Sequence, residues 1–336
     1  MKRTLSSLFL LCVLVLSIAA QPQRPEQRED RRTKVIIDND LCGDADGLFA
    51  LAHQLLCKSV NIRGIVGAHL GPRGGFSNAA NTAQASVEKA NEIADALGMA
   101  GQFKIVPGAP KAMEAPDKPV VSEGSQLIVE EALACTPDKP LYVLVGGPLT
   151  DIASALLTKP EIAANIIVVW IGGQEYPFGH PQPCGGISEV EYNLNLSIPA
   201  ARMIFNDSDV RLWQIPRDAY RQCLYGFDEI QLKLAPYGKI GEVLASSLER
   251  MQRFSQKEMY VLGDSPLVLV SSLQTFFEPD TASCDFEVTR APCITESGSY
   301  DFNRPGREIR VYTHLDNALM FRDMETKIQL HSINNK

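Results

Sequence analysis

Four aspartates stand close together near the start of the chain: Asp38, Asp40, Asp44 and Asp46 fall within nine residues. They follow the apolar run KVIID and precede a segment of helical periodicity, so they should lie where a strand ends and a helix begins. Carboxylates held together repel one another unless a cation or a proton compensates their charge. Hard divalent cations that prefer oxygen ligands, Ca²⁺ above all, are their natural partners. The pattern therefore predicts a metal site built from carboxylates.

The acidic cluster also fits two hypotheses that need no Ca²⁺. Asp is favoured at helix N-caps and in turns, so one carboxylate could cap the helix while the others face solvent. A DxD that ends an apolar strand is also typical of haloacid-dehalogenase-type phosphatases, in which case Asp38 would be a nucleophile acting with Mg²⁺. An EF-hand loop is excluded, because Cys42 occupies the place of a third alternate acid and no Glu closes the loop.

The elements that must position the acids predict an α/β fold. Short β-branched runs alternate with segments of helical periodicity, and continuous apolar runs suit strands that are covered on both faces. The order strand, helix, strand implies a mainly parallel open sheet flanked by helices, with the ligand site at the carboxyl ends of the strands. The predicted strands are KVIID (34 to 38), NIRGIVGAH (61 to 69), LYVLVGG (141 to 147), NIIVVWIGG (165 to 173), VRLWQIP (210 to 216) and EIRVYT (308 to 313).

The beginning of the chain predicts export. In residues 1 to 20, Lys2 and Arg3 precede an apolar run that ends in small residues, which is the pattern of a secretory signal peptide. That run is too short to span a bilayer. Residues 21 to 33 are polar and predict a disordered leader. We expect one folded domain over residues 34 to 336, exported to a periplasm or outside the cell, with no membrane anchor after the signal is removed.

Composition narrows the class of protein further. The chain of 336 residues is 45% hydrophobic and 21% charged, which excludes collagen-like, coiled-coil and wholly disordered proteins. Its formal net charge is -8, so it should repel nucleic acid and anionic membrane surfaces and attract cations. We therefore expect a small-molecule ligand and no nucleic-acid partner.

Three later segments accompany the acidic cluster: LYVLVGGPLTDIASALLTKPEIAANIIVVWIGG (141 to 173), EVEYNLNLSIPAARMIF (189 to 205) and LGDSPLVLVSSL (262 to 273). Together with VIIDNDLCGDADGLFALAHQLL, they resemble in order and spacing four motifs of the inosine-uridine-preferring nucleoside hydrolase family. These motifs are its DxDxGxDxDDA or DxDPGxDDA signature, its GPLTNIA turn and VVxMGG strand, its AEFN segment and its HDP segment. The resemblance spans about residues 34 to 320.

This resemblance implies a Ca²⁺-dependent enzyme that hydrolyses the N-glycosidic bond of ribonucleosides or related N-ribosides. The positions that match the family's metal ligands are Asp40, Asp46, the main-chain carbonyl of Gly146, and Asp264. Asp40 matches the acid beside the attacking water, and such an acid can take a proton from a water whose pKa a metal has lowered. The first acid, Asp38, matches a residue that supports the ligands.

The resemblance also implies a sugar-binding set. Asp44 matches the acid that holds the sugar diol and, with Asp40, is implied in catalysis, while Asn78, Glu191 and Asn193 match residues that reach the sugar. The chemistry suits these residue types, because breaking a glycosidic C–N bond builds positive charge on the ring, which nearby carboxylates stabilise. By resemblance, a homo-oligomer is also expected.

The chain departs from the family motif in two places that bear on function. The doubled DD of the family is split by Ala45, so the motif leaves open whether Asp44 or Asp46 is the bidentate ligand. Gly263 stands where some members carry a His able to protonate the leaving base. These departures leave a second hypothesis, a secreted protein that binds nucleosides or sugars without turning them over.

Overall fold

The first strand of the chain lies inside a sheet of eight strands, counted over the described residues. The structure is a computed structural model that describes residues 30–71, 77–178, 190–255, 257–273 and 283–335. The predicted signal peptide and most of the predicted leader lie outside these residues. Residues Arg32–Lys336 group into one compact unit by their contacts. None of the described helices is long and apolar enough to cross a membrane.

The sheet has the order β3-β2-β1-β4-β5-β6-β12-β9. Its neighbours are parallel except for β12 and β9, which are antiparallel. The predicted mainly parallel α/β sheet is thereby confirmed. The strands are β1 Thr33–Asn39, β2 Val60–Gly67, β3 Ile105–Pro107, β4 Leu141–Gly146, β5 Ile166–Ile171, β6 Arg211–Ile215, β7 Leu224–Gly226, β8 Met259–Val261, β9 Cys284–Arg290, β10 Cys293–Ile294, β11 Tyr300–Asp301 and β12 Glu308–Leu315.

Helices cover both faces of the sheet, and this covering accounts for the continuous apolar runs. Along β1, Val35 and Ile37 join the hydrophobic core of one face and Ile36 joins that of the other, as the period of two of a strand requires. The helices are α1 Asp46–Leu55, α2 Thr82–Ala96, α3 Glu123–Leu133, α4 Thr150–Thr158, α5 Tyr192–Leu196, α6 Ile198–Asn206, α7 Arg217–Tyr220, α8 Phe227–Lys233, α9 Gly238–Ser255, α10 Pro266–Ser272 and α11 Asn317–Asn334, with a 3₁₀ helix at Pro160–Asn165.

The order of the sheet creates a switch point between β1 and β4. The chain leaves β1 towards β2 and β3 on one side and returns to β4 on the other side. In open parallel sheets, ligands bind at such a switch point, beyond the carboxyl ends of the strands. Asn39 at the end of β1 is paired with Gly146 at the end of β4, so the acidic motif and the GPLT turn meet there.

Candidate active site

Two distant stretches of chain meet at the carboxyl end of β1. Asp40 directly follows β1, Asp46 is the first residue of α1, and Asp264 lies just before α10. All three carboxylates line one cavity of about 580 Å³. The cavity walls also include the other predicted ligand and sugar-binding positions Asp44, Gly146, Glu191 and Asn193.

The predicted sugar-binding residue Asn78 has a different place. It lines a neighbouring cavity of about 520 Å³, which shares Gly43, Asp44 and Met251 with the acidic cavity. Asp44 therefore stands between the two cavities. Its Oδ1 also accepts a hydrogen bond from the backbone N–H of Asp46 at the start of α1 (3.2 Å). Asp44 thus fits the helix-capping hypothesis in part, while it still lines the acidic cavity.

Asp264 is held in place by a residue that the sequence analysis did not single out. The amide Nδ2 of Asn39 donates a hydrogen bond to Asp264 Oδ2 (2.8 Å). The same carboxylate oxygen abuts the backbone of α1 and β4: a Cβ on Gly47 would lie 3.2 Å from it, and a Cβ on Gly146 would lie 2.8 Å from it. Glycine at both positions lets Asp264 approach the ends of β1, β4 and α1 together.

The carboxylates of the cavity oppose one another's ionisation. Burial, and then the charges of Asp264 and Asp44, raise the pKa of Asp40 and of Asp46 well above the ordinary value. Burial raises the pKa of Asp264 to about 8, although the hydrogen bond from Asn39 opposes this shift. A group of carboxylates that cannot all ionise without compensation is a good host for a cation.

Two buried oxygens that accept no hydrogen bond also indicate a cation site. Within the described ranges, Asp40 Oδ2 and Asn39 Oδ1 are buried and accept no hydrogen bond. Buried polar atoms almost always have a partner, so these two orphaned oxygens are unusual. Hard cations take six to eight oxygen ligands from carboxylates, amide carbonyls and main-chain carbonyls. The oxygens present here therefore fit a hard divalent cation.

Asp38 is fully buried, and its neighbour in space is Asp151. Burial, followed by the charges of Asp151 and Asp40, raises the pKa of Asp38 well above its usual value. Asp151 stands where the family's GPLTN turn has Asn, and it accepts hydrogen bonds from the Ala109 N–H (2.9 Å) and the Ser122 hydroxyl (2.5 Å). A fully buried Asp38 has no room for a phosphoryl group, so this geometry does not favour the phosphatase hypothesis.

Glu191, which also lines the cavity, is fixed by three donors. Its Oε2 accepts the N–H groups of Gly173 (2.8 Å) and Leu194 (2.9 Å), and its Oε1 accepts the hydroxyl of Tyr220 (2.8 Å). Burial raises the pKa of Glu191, although these hydrogen bonds oppose the shift. Asn193 donates to the carbonyl of Ile171 (2.8 Å), so its amide is also oriented. The two residues are held rigidly by the ends of β5 and α5.

The ring of Tyr220 fills the space above Gly263. A Cβ on Gly263 would lie 3.1 Å from Tyr220 Cδ2 and 3.2 Å from Asp46 Oδ2. A His at this position would collide with the Tyr220 ring as it now stands. Burial, and then the charge of Glu191, raise the pKa of Tyr220 well above its ordinary value, so its hydroxyl stays a donor.

Sequence reasoning missed Asn39, Tyr220 and Tyr260, which contribute to or line the cavity. Asn39 lies inside the DND run, so the acidic motif itself was a signal for it. The two tyrosines carry no such local signal, because they reach the site only through tertiary folding. The site that results is an acidic pocket at the switch point of a parallel sheet, which is the place where α/β proteins of this topology bind their ligands.

Comparisons with known proteins agree with this class. A family profile described as inosine-uridine preferring nucleoside hydrolase matches residues 35–322. The chain belongs to this family, and as a member it is an N-ribohydrolase, a glycosidase that acts on N-glycosyl bonds. A search of curated proteins found no match.

Solved structures of nucleoside hydrolases share the fold. The chain is similar to the plant nucleoside hydrolase PpNRh1 (14% identity, 88% of this chain and 99% of that one, TM-score 0.66). It is similar to a purine-preferring ribonucleoside hydrolase from Gardnerella vaginalis (19% identity, 89% of this chain and 99% of that one, TM-score 0.66). It is also similar to an inosine-uridine preferring nucleoside hydrolase from Bacillus anthracis (16% identity, 88% of this chain and 99% of that one, TM-score 0.63). At these identities the similarity shows the fold.

Proposed function

We propose that the protein is a Ca²⁺-dependent hydrolase of the N-glycosidic bond of ribonucleosides or closely related N-ribosides. The observation that carries the proposal is the convergence of Asp40, Asp46 and Asp264 with Glu191 in one cavity at the switch point of the sheet. The acids from the start of the chain and the acid from position 264 fit one hard cation, whereas Glu191 and Asn193 lie on the sugar side.

Each group has a role that follows from its position. Asp40, Asp46, Asp264 and the Gly146 carbonyl would hold Ca²⁺, and the bound ion would supply a fixed positive charge that acidifies water and orients the sugar diol. Asp40, with an oxygen that accepts no hydrogen bond from the described residues, is placed to take the proton of the attacking water. Asp44 lies at the rim, where it can hold the sugar diol.

The remaining residues stabilise the transition state. Bond cleavage builds positive charge on the ribose ring, and the carboxylates that line the cavity are fixed before the reaction begins. Glu191 needs no reorganisation, because three donors already orient it. Asn193 is held in the same way by its hydrogen bond to Ile171. Binding of the ribose in this frame converts part of its binding energy into rate.

The test is hydrolysis of a panel of purine and pyrimidine ribonucleosides with Ca²⁺ or with EDTA, reading released base and reducing sugar. We expect release with Ca²⁺ and its loss with EDTA. The variants Asp40→Ala and Asp264→Ala should lose bound Ca²⁺ and activity together, whereas the exposed control Asp95→Ala should keep both. Release that is unchanged by EDTA would contradict the role of the ion. Ribose binding with no release from any nucleoside would contradict the reaction.

A further inference from the structure

A second cluster of metal-ligating side chains lies away from the acidic cavity. His53 stands seven residues after Asp46 on α1, which corresponds to about 10 Å along the helix axis. Cys57 follows it by four residues, and Asp323 comes from α11, which packs against α1. One ring nitrogen of His53, the thiol sulfur of Cys57 and one carboxylate oxygen of Asp323 all lie within 4.8 Å of one another.

The three side chains of this cluster differ in how deeply they are buried. His53 is fully buried and Cys57 is buried, whereas Asp323 is partly exposed and gives the cluster a path to solvent. His53 Nε2 lies 2.7 Å from Asp323 Oδ2. His53 Nδ1 is buried without a hydrogen-bond partner among the residues that the structure describes. The ring nitrogen next to the carboxylate, Nε2, is engaged in the hydrogen bond with Asp323, and the Cys57 thiol donates to the carbonyl of His53 (3.4 Å), so a bound ion would replace the protons in these two contacts.

We propose that His53, Cys57 and Asp323 form a second metal site, selective for a borderline transition cation such as Zn²⁺. The donor set of one nitrogen, one sulfur and one oxygen suits Zn²⁺ and discriminates against Ca²⁺, which prefers oxygen ligands alone. Bonds of about 2.0 to 2.3 Å to a tetrahedral ion require ligand atoms roughly 3.3 to 3.8 Å apart, so a small side-chain adjustment completes the site. An ion bound there would link α1 to α11. The first turn of α1 also lines the acidic cavity.

Three groups set the conditions for metal binding. Burial raises the pKa of the Cys57 thiol to about 11, so the ion must displace the thiol proton. Lys327 also forms an ion pair with Asp323 and must withdraw its ammonium group when a cation arrives. Burial lowers the pKa of His53, which keeps the imidazole neutral, so only one of its two ring nitrogens carries a proton. Lys327 therefore competes with the metal for Asp323.

The test is titration of the full-length protein with Co²⁺ under anaerobic conditions. A thiolate ligand gives Co²⁺ a near-ultraviolet charge-transfer absorption that oxygen ligands in the acidic cavity cannot give. We expect this absorption to saturate at one Co²⁺ per chain and to be abolished by Zn²⁺, which binds such donors more tightly. It should persist when the acidic cavity is saturated with Ca²⁺.

Variants locate the absorption on the chain. Cys57→Ser should remove it, whereas Cys42→Ser, which alters the thiol next to the acidic cavity, should leave it unchanged. Lys327→Met should tighten Co²⁺ binding by roughly tenfold, because the competing cation is removed from Asp323. The absence of the absorption in the wild-type protein would overturn the proposal, and so would an absorption that Cys42→Ser removes. If Cys57→Ser does not fold, unchanged Co²⁺ affinity in Lys327→Met overturns it.

Discussion

At the scale of single residues, Asn39 connects the two halves of the acidic site. It stands between two aspartates of the acidic motif, yet its side chain binds Asp264, 225 positions along the chain. Its amide is the donor that keeps Asp264 directed at the end of β1 while opposing the rise in the pKa of that acid. A residue that orients a metal ligand in this way typically changes metal affinity or activity by about 10- to 100-fold when it is removed.

We expect Asn39→Ala to weaken Ca²⁺ binding by about 10- to 100-fold, because Asp264 loses the donor that fixes its carboxylate. Isothermal titration with Ca²⁺ measures this change directly. Asn165→Ala is the matched control, since Asn165 also donates through Nδ2 (3.1 Å to Ala132 O) but lies away from the site. Equal Ca²⁺ affinity in the wild type and Asn39→Ala would show that Asp264 does not depend on this amide.

The hydrogen bond from Tyr220 to Glu191 makes a separate prediction. Tyr220→Phe keeps the ring over Gly263 but removes the hydroxyl that donates to Glu191. A hydrogen bond to a charged group contributes about 1.5 to 3 kcal/mol, so kcat/KM should fall by about tenfold or more. Nucleoside kinetics measure the fall. Tyr225→Phe, which removes a hydroxyl bonded to Glu325 instead, should change kcat/KM little. An unchanged kcat/KM in Tyr220→Phe would show that catalysis does not depend on the hydrogen bond from Tyr220 to Glu191.

At the scale of elements, the apolar runs predicted the interior strands well. The six predicted runs correspond to β1, β2, β4, β5, β6 and β12, which all lie in the large sheet. Their continuous apolar pattern is strong because both faces of each strand are covered. The edge strands β3 and β9 were missed: β3 has three residues, and four of the seven residues of β9 are exposed. Short or half-exposed edge strands carry little pattern to read.

The acidic site was predictable to the extent that its motifs are local. The spacing of three acids predicted an acidic site without further information: Asp40, Asp44 and Asp46. Asp264 was identified only through the resemblance to the family. Nothing in the sequence around Tyr220 shows that its ring will lie over Gly263, because the contact depends on how α7 and the turn before α10 pack. The buried pair Glu175 and Arg217 is another such contact, and it makes a prediction about the elements that it joins.

The Glu175–Arg217 ion pair holds the segment after β5 against α7. Two hydrogen bonds of 2.5 and 2.7 Å join the side chains, and both are almost fully buried. Burial alone would raise the pKa of Glu175, but the hydrogen bonds and charge of Arg217, a backbone hydrogen bond and the charge of Arg221 together lower that pKa. The backbone of Arg217 also donates to Gly173 O, and Gly173 in turn donates to Glu191. The pair therefore supports the part of the cavity that holds Glu191.

Arg217→Met should destabilise the protein by about 3 to 5 kcal/mol, because it leaves the buried Glu175 charge without a partner. Urea unfolding measures the loss. Adding Glu175→Leu should recover much of it, since the unpaired charge is then gone. The exposed pair Lys89–Glu92 is the control: Lys89→Met should cost less than about 1 kcal/mol. Similar costs for the two single variants would mean that burial does not decide the strength of the Glu175–Arg217 pair.

At the scale of the whole molecule, the acidic site works against the stability of the metal-free protein. The strand order brings Asp40, Asp46 and Asp264 to one switch point in a chain whose formal net charge is already -8. Their pKa values are raised in the folded state, whereas in the unfolded chain an Asp ionises near the ordinary value of 3.8. Folding therefore favours the protonated acids, and a cation that binds only the folded state reverses this cost.

The sign of this linkage gives a test on the entire protein. Stability contributed by the protonated acids is fully present below about pH 3.8 and is lost as the pH rises to about 8, the folded-state pKa of Asp264. Over the same window Ca²⁺ replaces the lost protons, so the difference in Tm between Ca²⁺-loaded and EDTA-treated protein should widen from pH 5 to pH 8. At a thousandfold excess over Kd, the stabilisation is about 4 kcal/mol, or several degrees. Thermal unfolding at four pH values measures it, with Asp264→Asn expected to flatten the trend and Asp95→Asn to preserve it. A difference in Tm that stays constant across this range would mean that protons and Ca²⁺ do not compete for the same carboxylates.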